Sequence, residues 1–388
     1  MTDQSLAPDV TRRNWLAGAA FGGAAAVLPA WGWAQTAAQT APDGFQVLHA
    51  NGPGHTLRLI RGEEVRVRLF NDTTEPAAIH WHGVRLPNGA DGILGLTQPA
   101  IAPGGSFDYR FVAPDAGTFW YRPALASTGR RLRGPSGPLI VSETPPLDID
   151  REAVVFVNAL PNAGTTERLS VQTNQRLRFR IINAMLAPIR LRLEKHRAMV
   201  MAIDGQPAEP FAARDGRMML GSGNRIDLFV DAALAAGDHA ALLVDTASGE
   251  APLLQLVYEG AAARAAPLPE LKSLPPNPLP ERMDFRGALR AEVPLDTLPV
   301  GQGAPLFRTK RGRTVMLALV NKTAALQMVH LHGHSVRLLD KLDDGWKPFW
   351  LDTVAVPPQE TARVAFVADN PGKWLIETQS ASSWFEVV

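Results

Sequence analysis

Two histidine pairs carry the chemistry this chain can offer. The first is His80-Trp81-His82-Gly83 and the second is His330-Leu331-His332-Gly333-His334. Side chains alternate between the two faces of a strand, so both imidazoles of a His-X-His triplet point to the same side. Two such strands facing each other would present four nitrogen ligands, a donor set that suits copper, zinc or nickel. The competing reading is that the four imidazoles hydrogen-bond across an interface and hold no metal. The chain has no cysteine. It therefore offers no thiolate for a blue copper centre and no disulfide.

The elements that must position these histidines read as strands. From about residue 42 to 143, Leu57-Arg58-Leu59-Ile60, Val65-Arg66-Val67-Arg68-Leu69-Phe70 and Phe107-Asp108-Tyr109-Arg110-Phe111 alternate apolar with charged residues, as half-buried strands do. Pro103-Gly104-Gly105 marks a turn between two of them. A second block, 144–262, repeats the pattern in Arg176-Leu177-Arg178-Phe179-Arg180-Ile181 and Arg190-Leu191-Arg192-Leu193. A proline-rich stretch within 263–283 reads as an extended linker. The third block, 284–388, repeats the organisation of the first. Each block has the size of a two-sheet sandwich, and the expected fold is all-β, three Greek-key sandwiches in a row.

Composition agrees with this. The 388 residues include 32 prolines and 33 glycines, which fits many short strands and tight turns. The formal net charge is +1, and the basic residues are scattered, so no nucleic-acid footprint is expected. Residues 1–34 read as an export signal. Thr11-Arg12-Arg13-Asn14-Trp15-Leu16 resembles the twin-arginine consensus, and a short stretch rich in Ala and Gly follows it. That predicts a periplasmic protein with no membrane span after processing.

Further residues carry a family resemblance. Asp91-Gly92, Thr97-Gln98, Gly117-Thr118-Phe119-Trp120-Tyr121, Asp204-Gly205-Gln206-Pro207, Asp352-Thr353 and Asn370-Pro371-Gly372-Lys373-Trp374 stand in the order seen in multicopper oxidases, and the chain resembles that family over nearly its whole length after the signal. The resemblance implies three cupredoxin domains, with copper held between the first and third. It assigns His80 and His330 to a single copper, and His82 and His332 to one position on each of two paired coppers. The remaining positions of the pair are Arg122, Ala124, Glu377 and Gln379. The blue-copper positions are Gln327, Thr378 and Ser383. An Arg122–Glu377 ion pair is expected to fill the vacated space, with Gln379 supplying a hydrogen bond. Alternatively, Glu377 is a carboxylate ligand beside the histidines.

Three readings suit these residues. One is an exported homologue with at most one metal, copper or alternatively zinc, on His80, His82, His330 and His332. Another is a metal-free periplasmic scaffold with a protein partner, similar in plan to the copper-less member of the family that assists cell division. The third is an enzyme working with one copper. The chain is expected to be a monomer. His49, His55, His196 and His239 lie outside any ligand pattern, His334 is expected to be a non-ligand, and most of Met185, Met199, Met201, Met218 and Met219 are expected to fill the core. Copper-loaded protein should show no intense blue absorption and no oxidation of conventional phenolic laccase substrates. Visible spectra and a dye-oxidation assay check this, and turnover of such a dye by copper-bound protein contradicts it.

Overall fold

The computed structural model describes residues 40–125, 131–161, 166–298, 303–339 and 349–388. The expected signal segment lies outside these. The alternating segments form strands, which assemble into six sheets. A three-stranded and a four-stranded sheet together span Gln46–His49 to Gly137–Ser142. Two five-stranded sheets span Arg151–Val157 to Gly249–Tyr258. Two more span Leu289–Pro294 to Ser382–Val387. Apart from two 3-10 turns, the regular structure among the described residues is β. The architecture is all-β, three cupredoxin-like sandwiches.

The expected alternation holds where one face meets solvent. In Glu64–Phe70, Val65, Val67 and Leu69 are buried while the residues between them are half-buried or exposed. Arg176–Asn183 departs from it, because all eight of its residues are buried. Its polar face is covered by the first sandwich rather than by water. Arg178 pairs with Glu143 and Asp227, and Arg180 bridges Glu152, Asp227 and the Thr118 hydroxyl. Glu152 also takes Arg58 of the first sandwich at 2.7 Å. Alternation reports only that the two faces differ, so it could not separate a solvated charged face from a buried, fully paired one.

Apolar packing joins the parts unevenly. One continuous core runs through the first and third sandwiches, while the second has its own. Trp120 and Ile140 pack on Val154, Phe156 and Ile182 of the second sandwich. The proline-rich stretch carries no strand and lies against its neighbours. Asn277 is buried and bonds both the N–H and the carbonyl of Ala116, along with Gln206.

Arg225 ties all three sandwiches together. It is fully buried in the second. Its Nε donates to the carbonyl of Thr118 in the first sandwich at 3.2 Å, and its Nη1 donates to Asp352 of the third at 2.9 Å. Its Nη2 donates to the other Asp352 oxygen. Gly83 must be a glycine here. Its φ is +84°, and a Cβ would stand 2.2 Å from Arg225 Nη2 and 2.5 Å from Asp352 Oδ2. Breaking a buried pair strands the surviving charge, so Arg225→Met should lower stability by about 3–5 kcal/mol in chemical denaturation. A loss well under about 1 kcal/mol, the scale of an exposed pair, would contradict the assigned role.

Candidate metal centre

Strand register builds the site. Ile79–His82 pairs antiparallel with Gly117–Pro123, placing His80 opposite Arg122 and His82 opposite Trp120. Gln327–Leu331 pairs with Gly372–Glu377, placing His330 opposite Glu377. His332 follows, and its N–H donates to the carbonyl of Leu375 at 3.0 Å. Alternation turns Trp81, Tyr121, Val329, Leu331 and Ile376 into the shared core. The histidines, Arg122 and Glu377 then occupy the opposite face, where the first and third sandwiches meet. The four histidines of the two pairs are each at most 3% exposed.

The hydrogen bonds fix the tautomers. Nδ1 of His80 lies 3.2 Å from the Asp91 carbonyl oxygen, and Nδ1 of His330 lies 3.0 Å from that of Asp352. A carbonyl oxygen only accepts, so both Nδ1 atoms carry the proton and both Nε2 atoms keep a lone pair. These two Nε2 atoms face each other at 3.1 Å. Burial, with His332 adding to it, pushes His80 down to about 3, and burial lowers His330 as well. A proton shared between them is therefore disfavoured at neutral pH, and two buried lone pairs are left converging on one point. A single ion at a metal–nitrogen distance of roughly 2.0–2.1 Å could accept both.

His82 and His332 have other partners. Arg122 Nε donates to Nδ1 of His82 at 3.3 Å, and Nε2 of His82 donates to Thr353 Oγ1 at 2.9 Å. The Thr353 hydroxyl in turn donates to Asp352 at 2.7 Å. Both nitrogens of His82 are thus engaged. Nδ1 of His332 lies 3.1 and 3.0 Å from the two Asp91 oxygens, while its Nε2 is 3.7 Å from Glu377 Oε2, too far for a hydrogen bond. Burial opposes charge on His332, but Asp91 and then Glu377 overcome it and raise the group to about 9. His332 is an imidazolium at neutral pH, lying between two carboxylates.

Arg122 and Glu377 form the expected buried ion pair. Burial and the neighbouring Arg131 pull Arg122 down only to about 10, so it stays charged at neutral pH. Burial acts to raise Glu377, yet Arg122 and His332 hold it well below the usual carboxylate range. Gln379 does not support the pair as expected. Its Oε1 faces the N–H of Met328 at 3.4 Å, because its strand has ended at Glu377. Among the described residues, ligand atoms come within 4.8 Å of one another in two groups, His80–His82–His330 and His80–Asp91–His332. Glu377 is in neither.

The blue-copper positions hold local structure instead. Gln327 Nε2 donates to Thr323, Thr378 Oγ1 caps a turn at Ala381, and Ser383 is buried. His334 is buried among Phe366, Trp374 and Phe385, outside both groups. His49, His55, His196 and His239 are exposed or half-buried. Of the methionines, Met201 is buried while Met219 is 63% exposed and fills no core. Sequence reasoning missed Asp91, Asp352 and Thr353 as members of the site. They were visible only as landmarks of the family resemblance.

The sandwich plan, with histidine pairs facing across the first and third, is that of a copper oxidase. Multicopper oxidase family sequences match residues 33–146, 150–261 and 275–386. Multicopper oxidase MmcO of Mycobacterium tuberculosis is 27% identical, over 84% of this chain and 78% of its own. A copper resistance protein A homolog of Pseudomonas syringae pv. tomato is 39% identical, over 27% of this chain and 18% of its own. Among solved structures, Lac15 from a marine microbial metagenome is 31% identical and superposes with a TM-score of 0.74, covering 86% of this chain and 92% of its own. The chain belongs to the multicopper oxidase family.

The titrating groups set the stability of the metal-free protein. His80 has a folded value of about 3, below its ordinary 6.5, so it takes up protons more readily unfolded, and stability falls as pH drops below about 6.5. His332 has a folded value of about 9, above its ordinary 6.5, so its contribution is complete below 6.5 and is lost as pH rises through 9. Stability should therefore peak near pH 6.5 in denaturation series across pH. His332→Gln should flatten the alkaline limb and, by relieving part of the depression of His80, soften the acid one. An alkaline limb unchanged in that variant would refute the assignment.

Proposed function

We propose that this multicopper-oxidase homologue works with a metal site reduced to one ion, held by His80 and His330 with His82 and His332 beside it. One observation carries the reading: two buried Nε2 lone pairs face each other at 3.1 Å, each ring locked by a backbone carbonyl on its other nitrogen. Hydrogen bonding at the far nitrogen is how metal-binding histidines are usually oriented. Copper is the family's metal, and zinc is the alternative for an all-imidazole pair.

The paired positions fit cations of the protein's own. Arg122 fills the lone pair of His82, and the His332 imidazolium stands between Asp91 and Glu377. Further metal ions there would meet two fixed positive charges at a buried interface. Glu377, tied to Arg122, serves as the counter-charge rather than as a ligand. A copper ion on His80 and His330 would supply a Lewis acid or a one-electron centre. The protein's own groups orient the two rings. Without a cysteine the blue centre of a laccase has no thiolate, so conventional laccase activity is not part of this reading. Arg12-Arg13 and the apolar stretch after them support export to the periplasm. No helix among the described residues is long and apolar enough to cross a membrane.

The test is metal analysis after copper loading and desalting, with a parallel zinc arm. A single ion per chain, lost in His80→Ala/His330→Ala, is the expected outcome. No retained metal would leave the metal-free scaffold as the better account, and several ions per chain would refute the reduced site.

A further inference from the structure

A cavity of about 240 Å³ opens against two of the four histidines, His82 and His330, with Arg122, Arg131, Trp120, Leu186 and Met328 also in its lining. A single water needs only roughly 10–15 Å³ of such space. Leu186 is 65% exposed, so the cavity reaches the surface there.

Three of the lining residues carry a buried N–H group with no partner. Arg122 uses Nε on His82 and Nη2 on Glu377, which leaves Nη1 unpaired. Arg131 Nη1 and Trp120 Nε1 are likewise buried and unpaired. Arg122 and Trp120 are each at most 5% exposed. Buried donors without acceptors are costly, and three of them around one opening, against one unpaired acceptor in Glu377 Oε2, ask for a ligand rich in acceptors. Charge narrows the class. Arg122 and Arg131 bring two positive charges against the single negative charge of Glu377, whose Oε1 lies 3.9 Å from Arg131 Nη2. The lining thus carries one net positive charge, which suits a monoanion better than a phosphate dianion placed next to Glu377. Trp120, Leu186 and Met328 offer an apolar wall.

We propose that this cavity binds a small monocarboxylate, its carboxylate on Arg122 Nη1 and Arg131 Nη1 and its apolar body against Trp120, Leu186 and Met328. Guanidinium groups are the side chains best shaped for a carboxylate. The site uses volume that the family resemblance assigns to copper ligands and fills it with a different recognition chemistry. It does not depend on a metal at His80 and His330.

Calorimetric titration with benzoate tests the proposal, with benzamide as the uncharged analogue of the same shape. Benzoate should bind saturably and at least about tenfold more tightly than benzamide, the scale of a charge-assisted hydrogen bond. Arg131→Gln should weaken benzoate by a similar factor. Trp120→Phe should weaken it less, by removing one N–H while keeping a ring. Protein stripped of metal with a chelator should bind benzoate as the copper-loaded protein does. Arg122 is not the residue to remove, because that would strand Glu377 in the interior. Equal binding of benzoate and benzamide, binding of neither, undiminished binding by Arg131→Gln, or loss of binding when metal is stripped would each overturn the proposal.

Discussion

The contact between Arg225 and Asp352 is the constraint on which the centre depends. Arg225 is fixed from three sides: by the Thr118 carbonyl, by the Gly223 carbonyl at 3.1 Å, and by both oxygens of Asp352. Asp352 is held ionised. Burial would raise it, but Arg225 and His330 keep it well below the usual range. Once placed, Asp352 sets two histidines. Its carbonyl takes Nδ1 of His330, and its carboxylate takes the Thr353 hydroxyl that receives His82. Asp204 closes the arrangement from the second sandwich, accepting the N–H groups of Arg225 and Thr353 at 3.0 and 3.3 Å. The orientation of two rings between the first and third sandwiches is thus decided by a cation in the second, which is why three sandwiches are needed to hold one small site.

Much of this was legible in the residues. Each His-X-His pair does lie on one face of its chain, because strand alternation is a local geometric rule that tertiary packing seldom overrides. The Arg122–Glu377 pair could be inferred by position, since cross-strand register brings Arg122 beside His80 and Glu377 beside His330. The tautomers could not be inferred. They depend on carbonyls of Asp91 and Asp352 that reach the rings through chain turns, and no side-chain pattern encodes where a carbonyl points. The same limit applies to Arg178 and Arg180, whose alternation resembles a solvated face and whose acids lie far away in sequence. Gln379 was misplaced for the related reason that a strand's end is set by packing, and the position the resemblance gives it lies past Glu377, where the strand has ended.

The two pairs have the same spacing, yet one of their four rings, His332, differs from the rest in charge. His80 is buried and neutral, yet His332 is buried and charged, with ring centroids 3.9 Å apart. Asp91 serves both. It offers its carbonyl and one oxygen to His80, and both oxygens to His332. One carboxylate beside two imidazoles can stabilise only one of them as a cation without repulsion between the rings. Glu377 decides which, because it lies near His332 and is absent from the contacts of His80. A carboxylate where the family resemblance expects a ligand therefore fixes the protonation of one ring and leaves the other a lone-pair donor.

The lone pairs then favour one metal ion, and the charge balance disfavours three. Four carboxylates touch the four histidines or stand behind them: Asp91, Glu377, Asp352 and Asp204. Burial and Asp352 raise Asp204 to about 6, so it is mostly ionised at neutral pH. Four protein cations face them: Arg122, Arg131, Arg225 and His332. The shell is thus balanced, and the unpaired lone pairs of His80 and His330 lie within it. A single cation placed there relieves the repulsion between those lone pairs. Each additional cation would add charge to a balanced shell, beside Arg122 and the His332 imidazolium. The substitutions at Arg122 and Glu377 thus act together. They supply one fixed cation, hold a second as an imidazolium, and leave the remaining site matched to one ion.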